Sequence, residues 1–114
     1  MTPAARERRF RRIKEIGCLA CRACGWFSTC EIHHLNLCGQ AGRVRRGDEA
    51  TIGLCAHHHR GTWLPASLKG KLGPSLALSS KAFRRRFGTD DELLAKQDRL
   101  IAEAEKTARG VCAA

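Results

Sequence analysis

Two short donor spacings constrain this chain most: Cys18-x-x-Cys21 near its start and Cys55-x-x-His58 near its middle. A two-residue spacer lets one turn aim both side chains at a single ion, and two such bites together complete a tetrahedral Cys3His zinc site. The fold must then bring residue 18 against residue 58. Cys24 stands at the same spacing from Cys21, so a Cys21 and Cys24 bite is the rival assignment to the preferred Cys18 and Cys21. Cys30, Cys38 and Cys112 lack a spaced partner and read as small hydrophobes.

A staple of this kind suits the composition. The 114 residues fit one domain, yet four Phe, two Trp and no Tyr leave little aromatic surface to bury. Seven cysteines are an odd count, and the leading MTPAARERRFRR has no apolar signal core. Both facts point to reduced thiols, available to metal, in a cytoplasmic protein. No apolar run is long enough for a membrane span.

The formal net charge is +10, and the arginines come in blocks: Arg6, Arg8, Arg9, Arg11 and Arg12, then Arg43, Arg45 and Arg46, then Arg84, Arg85 and Arg86. Such clustering exceeds what solubility needs and implies a polyanionic partner rather than a plain solvated face.

Local patterns place these residues on elements. Ala5, Phe10, Ile13 and Ile16 recur at helical spacing over 4–16, up to Gly17. Residues 17–26 read as a tight cysteine-rich turn, 27–34 as a short strand, and 36–48 as a loop rich in glycine and arginine. A second strand is expected over 49–55, running into a short histidine-bearing helix that ends near Gly61. Residues 62–78, with two prolines and two glycines, read as a long loop. A helix follows from Ser79 or Ser80 to Gly88. Thr89 with Glu92 forms a capping-box pattern for a last helix over about 90–109, its apolar face carrying Leu93, Gln97, Leu100, Ile101, Ala104 and Ala108.

With Cys55 and His58 committed to zinc, His33, His34, His57 and His59 remain, too many for the same ion, so a second metal is expected. Neighbours on a strand point to opposite faces, so His33 and His34 take different jobs, one ligating and the other free as a base. A divalent ion held by imidazole beside a free imidazole is a compact kit for phosphodiester hydrolysis.

The ordered set CxxC, EIHHL, a basic glycine-rich loop and TIGLC followed by the histidine run resembles the HNH endonucleases. GPSLALSSKAFRRRFGTDDELL at 73–94 is similar to the tail of the Ref family, phage-encoded RecA-dependent nucleases linked to recombination enhancement, and the likeness runs from about 15 to 97. The resemblance implies an α+β fold: a small zinc-stapled ββα-metal (HNH) finger embedded between N-terminal and C-terminal helices. A single nuclease domain would span 1–114, with a basic helix over about 4–16, the finger over about 17–61, and a loop and helices over about 62–109.

On this resemblance His33 and His59 would hold the catalytic divalent ion, Mg2+ or Mn2+, and His34 would be the general base. Cys18, Cys21, Cys55 and His58 would hold structural Zn2+. Arg9, Arg12, Arg43, Arg45 and Arg46 would grip DNA phosphates. The implied setting is a phage or prophage gene product in the bacterial cytoplasm, acting on DNA with a RecA filament as partner. The asparagine that gives HNH its middle letter is absent, its place taken by Ala50, with Thr51 or Asp48 as substitutes for orienting His34. His57 is a further histidine able to exchange with a neighbour. The alternative is a non-catalytic, zinc-stapled nucleic-acid binding or recombination accessory protein. Neither the H-x-E nor the P-C-x-x-C run of the zinc deaminases is present.

Overall fold

In a computed structural model the backbone is described for residues 1–36 and 45–113, with side chains as far as Gly110. Arg43, Cys38 and most of the expected basic loop, as well as the side chain of Cys112, lie outside the described residues. The described chain forms six helices and one two-stranded antiparallel sheet, an α+β arrangement.

Helix α1 (Pro3–Ile16) starts where the Thr2 hydroxyl accepts from the Ala5 N–H at 3.1 Å, with proline supplying a first turn that needs no donor. Its narrow apolar stripe buries Ile13 completely and Phe10 and Ile16 in part. Gly17, at φ 85°, ends it. The cysteine-rich segment is more ordered than a turn: α2 (Leu19–Ala23) is a short helix capped by the Cys18 sulfur, which accepts from the Cys21 N–H at 3.3 Å.

Strand β1 (Glu31–His34) is shorter than the expected 27–34, because the chain before it crosses Gly17, with the Cys18 N–H donating to Ser28 O. It pairs with β2 (Thr51–Leu54) in the register Glu31 to Leu54, Ile32 to Gly53, His33 to Ile52 and His34 to Thr51. A bridge between Asn36 and Arg45 continues the pairing toward the loop. Every residue of β2 is buried, since α1, α2, α3 and α6 all pack on it. Gly53 makes that packing possible: a Cβ there would fall 2.7 Å from the Cys30 sulfur and 2.8 Å from Ile13.

Cys55 caps α3 (Ala56–Arg60) through its sulfur, and Gly61 closes it in the left-handed conformation at φ 80°, close to the expected stop. Residues 62–78 are not all loop. Helix α4 (Ala66–Leu72) begins directly after Pro65 and runs through Gly70, whose helix cost of about 1 kcal/mol is tolerated before Gly73 ends the segment.

Helix α5 (Ser80–Phe87) matches expectation and buries Phe83. Helix α6 (Asp90–Ala113) opens with the reciprocal Thr89 and Glu92 bonds of a capping box, at 2.9 and 3.2 Å, and extends past Gly110. Buried Gln97 accepts from the Gly53 N–H at 2.9 Å and so fixes α6 on the hairpin. No helix among the described residues is long and apolar enough to cross a membrane.

Candidate functional site

Two short helices, α2 and α3, bring together one group of metal donors. Cys18 precedes α2, Cys21 lies on it, Cys55 caps α3, and His58 stands one turn on, with their ligating atoms all within 4.8 Å of one another. A tetrahedral zinc with Zn–S near 2.3 Å and Zn–N near 2.0–2.1 Å sets sulfur–sulfur edges of about 3.8 Å and sulfur–nitrogen edges of about 3.6 Å. The edges here are 3.7 Å from Cys21 to Cys55, and 3.5, 3.4 and 3.3 Å from His58 Nδ1 to Cys18, Cys21 and Cys55. The residues fit the ion.

Surrounding contacts fix the tautomer that ligation needs. His58 Nε2 donates to the Leu72 carbonyl at 2.7 Å, which leaves Nδ1 facing the sulfurs. Phe87 meets the ring edge-on at 5.2 Å between centroids, and Phe83 closes a further side at 6.4 Å. Among the thiols, hydrogen bonds with Cys18 and then Cys55 drive Cys21 above its usual range, while those with Cys18 and Cys21 drive Cys55 below it. Donors crowded in this way favour a cation at their centre.

The rival bite does not form. Cys24 turns its sulfur toward Leu72 O at 3.7 Å, away from the donor group. Cys30 is a buried small hydrophobe, its thiol pushed up to about 11 chiefly by burial. His57 also faces elsewhere: its Nε2 donates to Gly73 O at 2.9 Å, and its buried Nδ1 has no partner among the described residues.

A second arrangement lies on the hairpin. His33 Nδ1 and His59 Nε2 stand 3.1 Å apart, drawn together from β1 and α3. Two imidazole nitrogens each about 2.0–2.1 Å from one ion, at angles between octahedral and tetrahedral, stand about 2.9–3.4 Å apart, so this pair fits two corners of a metal site. Burial first, and the neighbouring His59 second, lower His33 to about 4, so it is a neutral ring at physiological pH, with a lone pair to give. His59 Nδ1 donates to Glu31 Oε1 at 2.9 Å, and Arg60 clamps that carboxylate through Nε and Nη2 at 3.0 and 2.7 Å. The Arg60 and His59 bonds hold Glu31 below the usual carboxylate range.

His34, next along the strand, takes the other face, where the Phe10 ring meets it edge-on at 6.2 Å. Its Nε2 lies 2.9 Å from Asp48 Oδ1, leaving Nδ1 as the nitrogen not held by the carboxylate. The Thr51 hydroxyl donates to Asp48 O at 2.8 Å and accepts from Arg9 Nε at 2.8 Å. Of the two residues expected to orient His34, Asp48 touches it and Thr51 fixes the backbone of Asp48. Ala50 is buried and touches neither role.

The arginines expected to contact DNA divide. Arg9 turns inward, donating to Thr51 O at 2.6 Å and to Asp98 at 2.8 Å, with 11% of its side chain exposed. Arg12 is tied to Glu15 and Glu105. These two brace α1 against β2 and α6, and their carboxylate partners compete with any phosphate. Arg46 pairs with exposed Asp91 at 3.2 Å, and Arg45 is exposed. Arg8 and Arg11, from the same basic block, are exposed with no ion pair among the described residues.

Glu31 was also missed. Its readable mark was its place two residues before His33, which puts both on one strand face. The Leu72 carbonyl had no mark at all, since α4 itself was not expected.

Fold and side chains together define a small α+β protein with a Cys3His group that could hold a metal and a close pair of histidines, His33 and His59. The chain belongs to the recombination enhancement, RecA-dependent nuclease family, whose model matches residues 2–102. Neither a curated protein nor a solved structure matches it.

Proposed function

We propose that this chain is a metal-dependent DNA endonuclease built on a ββα-metal (HNH) finger formed by β1, β2 and α3, within a single domain. The observation that carries this reading is the convergence of His33 and His59 at 3.1 Å on one face of β1, with His34 and its Asp48 partner on the other. His33 and His59 would hold a divalent ion, Mg2+ or Mn2+. Bound there, the ion supplies charge stabilisation at the scissile phosphate and leaving oxygen.

The chain's own groups do the rest. His34 Nδ1 takes the proton of the attacking water, with Asp48 holding the ring and balancing the imidazolium that forms. Glu31 keeps the Nε2 lone pair of His59 turned toward His33. Zn2+ at Cys18, Cys21, Cys55 and His58 serves as a staple, joining α2 to the start of α3, and has no part in the chemistry. Arg8, Arg11, Arg45 and Arg46, with Arg43 outside the described residues, position the DNA backbone without reading its sequence. The family description supports a role in recombination that depends on RecA; a phage or prophage gene and a cytoplasmic setting rest on the sequence resemblance alone.

The test is cleavage of plasmid and single-stranded DNA with Mg2+ or Mn2+, with and without a RecA filament, comparing wild type with His34→Ala. Expected is a loss of cleavage with zinc content and DNA affinity retained. Cleavage that survives His34→Ala removes His34 as the base. Absence of cleavage by wild type under every condition favours the accessory DNA-binding reading.

A further inference from the structure

The chemistry above leaves one wall of the molecule unused. Trp26 is 60% exposed, although it follows closely on the buried metal donors, and its backbone is pinned by a 2.9 Å bond from its N–H to Cys21 O. It forms one side of a cavity of about 390 Å³. Leu68, Lys71 and Leu72 line it from α4, together with Cys24 and Arg86.

Arg86 is held in place for a ligand. Its Nη2 donates to Lys71 O at 3.1 Å and lies 3.8 Å from the Cys24 sulfur, while the guanidinium carbon sits 5.4 Å from the Phe87 ring centroid. Gly73 leaves room for it, since a Cβ there would come within 2.5 Å of Nη1. No carboxylate pairs with Arg86 or Lys71 among the described residues, and the cavity lining contains no acid. An apolar protein patch has no need of unpaired cations in an acid-free lining. A nucleotide needs both parts: a flat apolar slot for the base and fixed cations for its phosphate.

We propose that this cavity is a nucleotide subsite that takes one unpaired base of single-stranded DNA, stacked on Trp26 against Leu68, with its phosphate on Arg86 and Lys71. Only an unpaired base presents a free face, because duplex bases are covered by their neighbours. The subsite is rigidly tied to the metal centre, since Leu72, which lines it, accepts from His58 through its carbonyl. It rests on the DNA-binding part of the proposed function and is independent of the cleavage chemistry.

The chain has two tryptophans, so Trp63→Phe leaves Trp26 as the sole emitter. Without added Mg2+ or Mn2+, a short oligothymidylate should quench that emission saturably, and a blunt duplex of equal length should not. With a labelled oligothymidylate, Trp26→Ala should weaken binding on the order of tenfold, the stacking contribution of one base, and Trp26→Phe should restore most of it. Zinc content and helical circular dichroism establish that the variants are folded; if Trp26→Ala is not, the quenching of the Trp63→Phe protein decides alone. Absent quenching, equal quenching by duplex, or unchanged affinity in folded Trp26→Ala overturns the subsite, as a protein-docking patch would produce. Wild-type cleavage is scored separately: cleavage without quenching removes the subsite alone, and quenching without cleavage removes the nuclease reading alone.

Discussion

His34 Nε2 and Asp48 Oδ1 meet at 2.9 Å, joining the end of β1 to the turn that leads into β2. Asp48 is itself drawn below the usual carboxylate range, first by this bond, and has Arg6 at 3.8 Å. An imidazole held this way is oriented before any substrate arrives. Asp48→Ala leaves the ring free to turn and forfeits part of the roughly 100- to 10,000-fold that a positioned base contributes, so kcat should fall by about tenfold or more. KM and zinc content should hold, and Asp48→Asn, whose amide oxygen still accepts, should recover part of the loss. An unchanged kcat in Asp48→Ala would sink the positioning role.

Glu31 acts one step from the proposed ion. Replacing it with Gln removes the charge that His59 Nδ1 donates to, and such supporting partners are commonly worth about 10- to 100-fold in metal affinity. The Mn2+ concentration giving half-maximal cleavage should therefore rise by that order, with activity near wild type once metal saturates. If the half-maximal concentration is unmoved, Glu31 merely anchors Arg60.

Metal removal should separate the two sites. A chelator in modest excess strips the exchangeable ion and stops cleavage reversibly, leaving about one zinc per chain. Cys55→Ser or His58→Ala breaks the four-donor group, and the chain should lose zinc and cooperative folding together, because binding energy at such a site is folding energy. Cys24→Ser should keep the zinc, since its sulfur lies outside the group. Zinc loss in Cys24→Ser would return Cys24 to the ligand set.

How far the sequence discloses this arrangement depends on the range of the physics involved. The capping box at Thr89 and Glu92, the stop at Gly61, and the donor spacings are local, and each stands where local rules put it. Opposite faces for His33 and His34 follow from the two-residue period of a strand. Helix α4 escapes because Gly70 and Pro65 read as breakers, while the contact that justifies it, Leu72 O with His58, spans fourteen residues. Arg9 escapes for the same reason: an arginine in a basic block gives no hint that Thr51 and Asp98 wait across the fold.

That inward turn distinguishes neighbouring arginines by experiment. Arg9→Ala removes charged hydrogen bonds to Thr51 and strips the support beneath Asp48, so stability should drop by about 2 kcal/mol. Exposed Arg8→Ala should change stability by no more than about 0.5 kcal/mol. Binding should invert the order: Arg8→Ala lowers DNA affinity and flattens its salt dependence, whereas Arg9→Ala, measured where it is folded, does neither. Urea midpoints and salt-dependent binding isotherms check both halves.

His33 makes stability depend on pH with a definite sign. Its folded value is about 4, lowered by burial and then by His59, against about 6.5 in the unfolded chain. Between these values the unfolded chain binds a proton that the folded one refuses, so stability rises with pH across that window. The contribution is complete above about 6.5 and is lost as pH falls toward 4; a difference of this size is worth on the order of 3 kcal/mol. His33→Gln keeps a polar side chain but cannot titrate, so its stability should fall less steeply from pH 7 to pH 5 than that of wild type. Groups common to both proteins cancel in the difference. Parallel acid limbs in urea unfolding at pH 7, 6 and 5 would mean that His33 accepts its proton in the folded state. Burial would then not be what keeps the ring neutral in the folded chain.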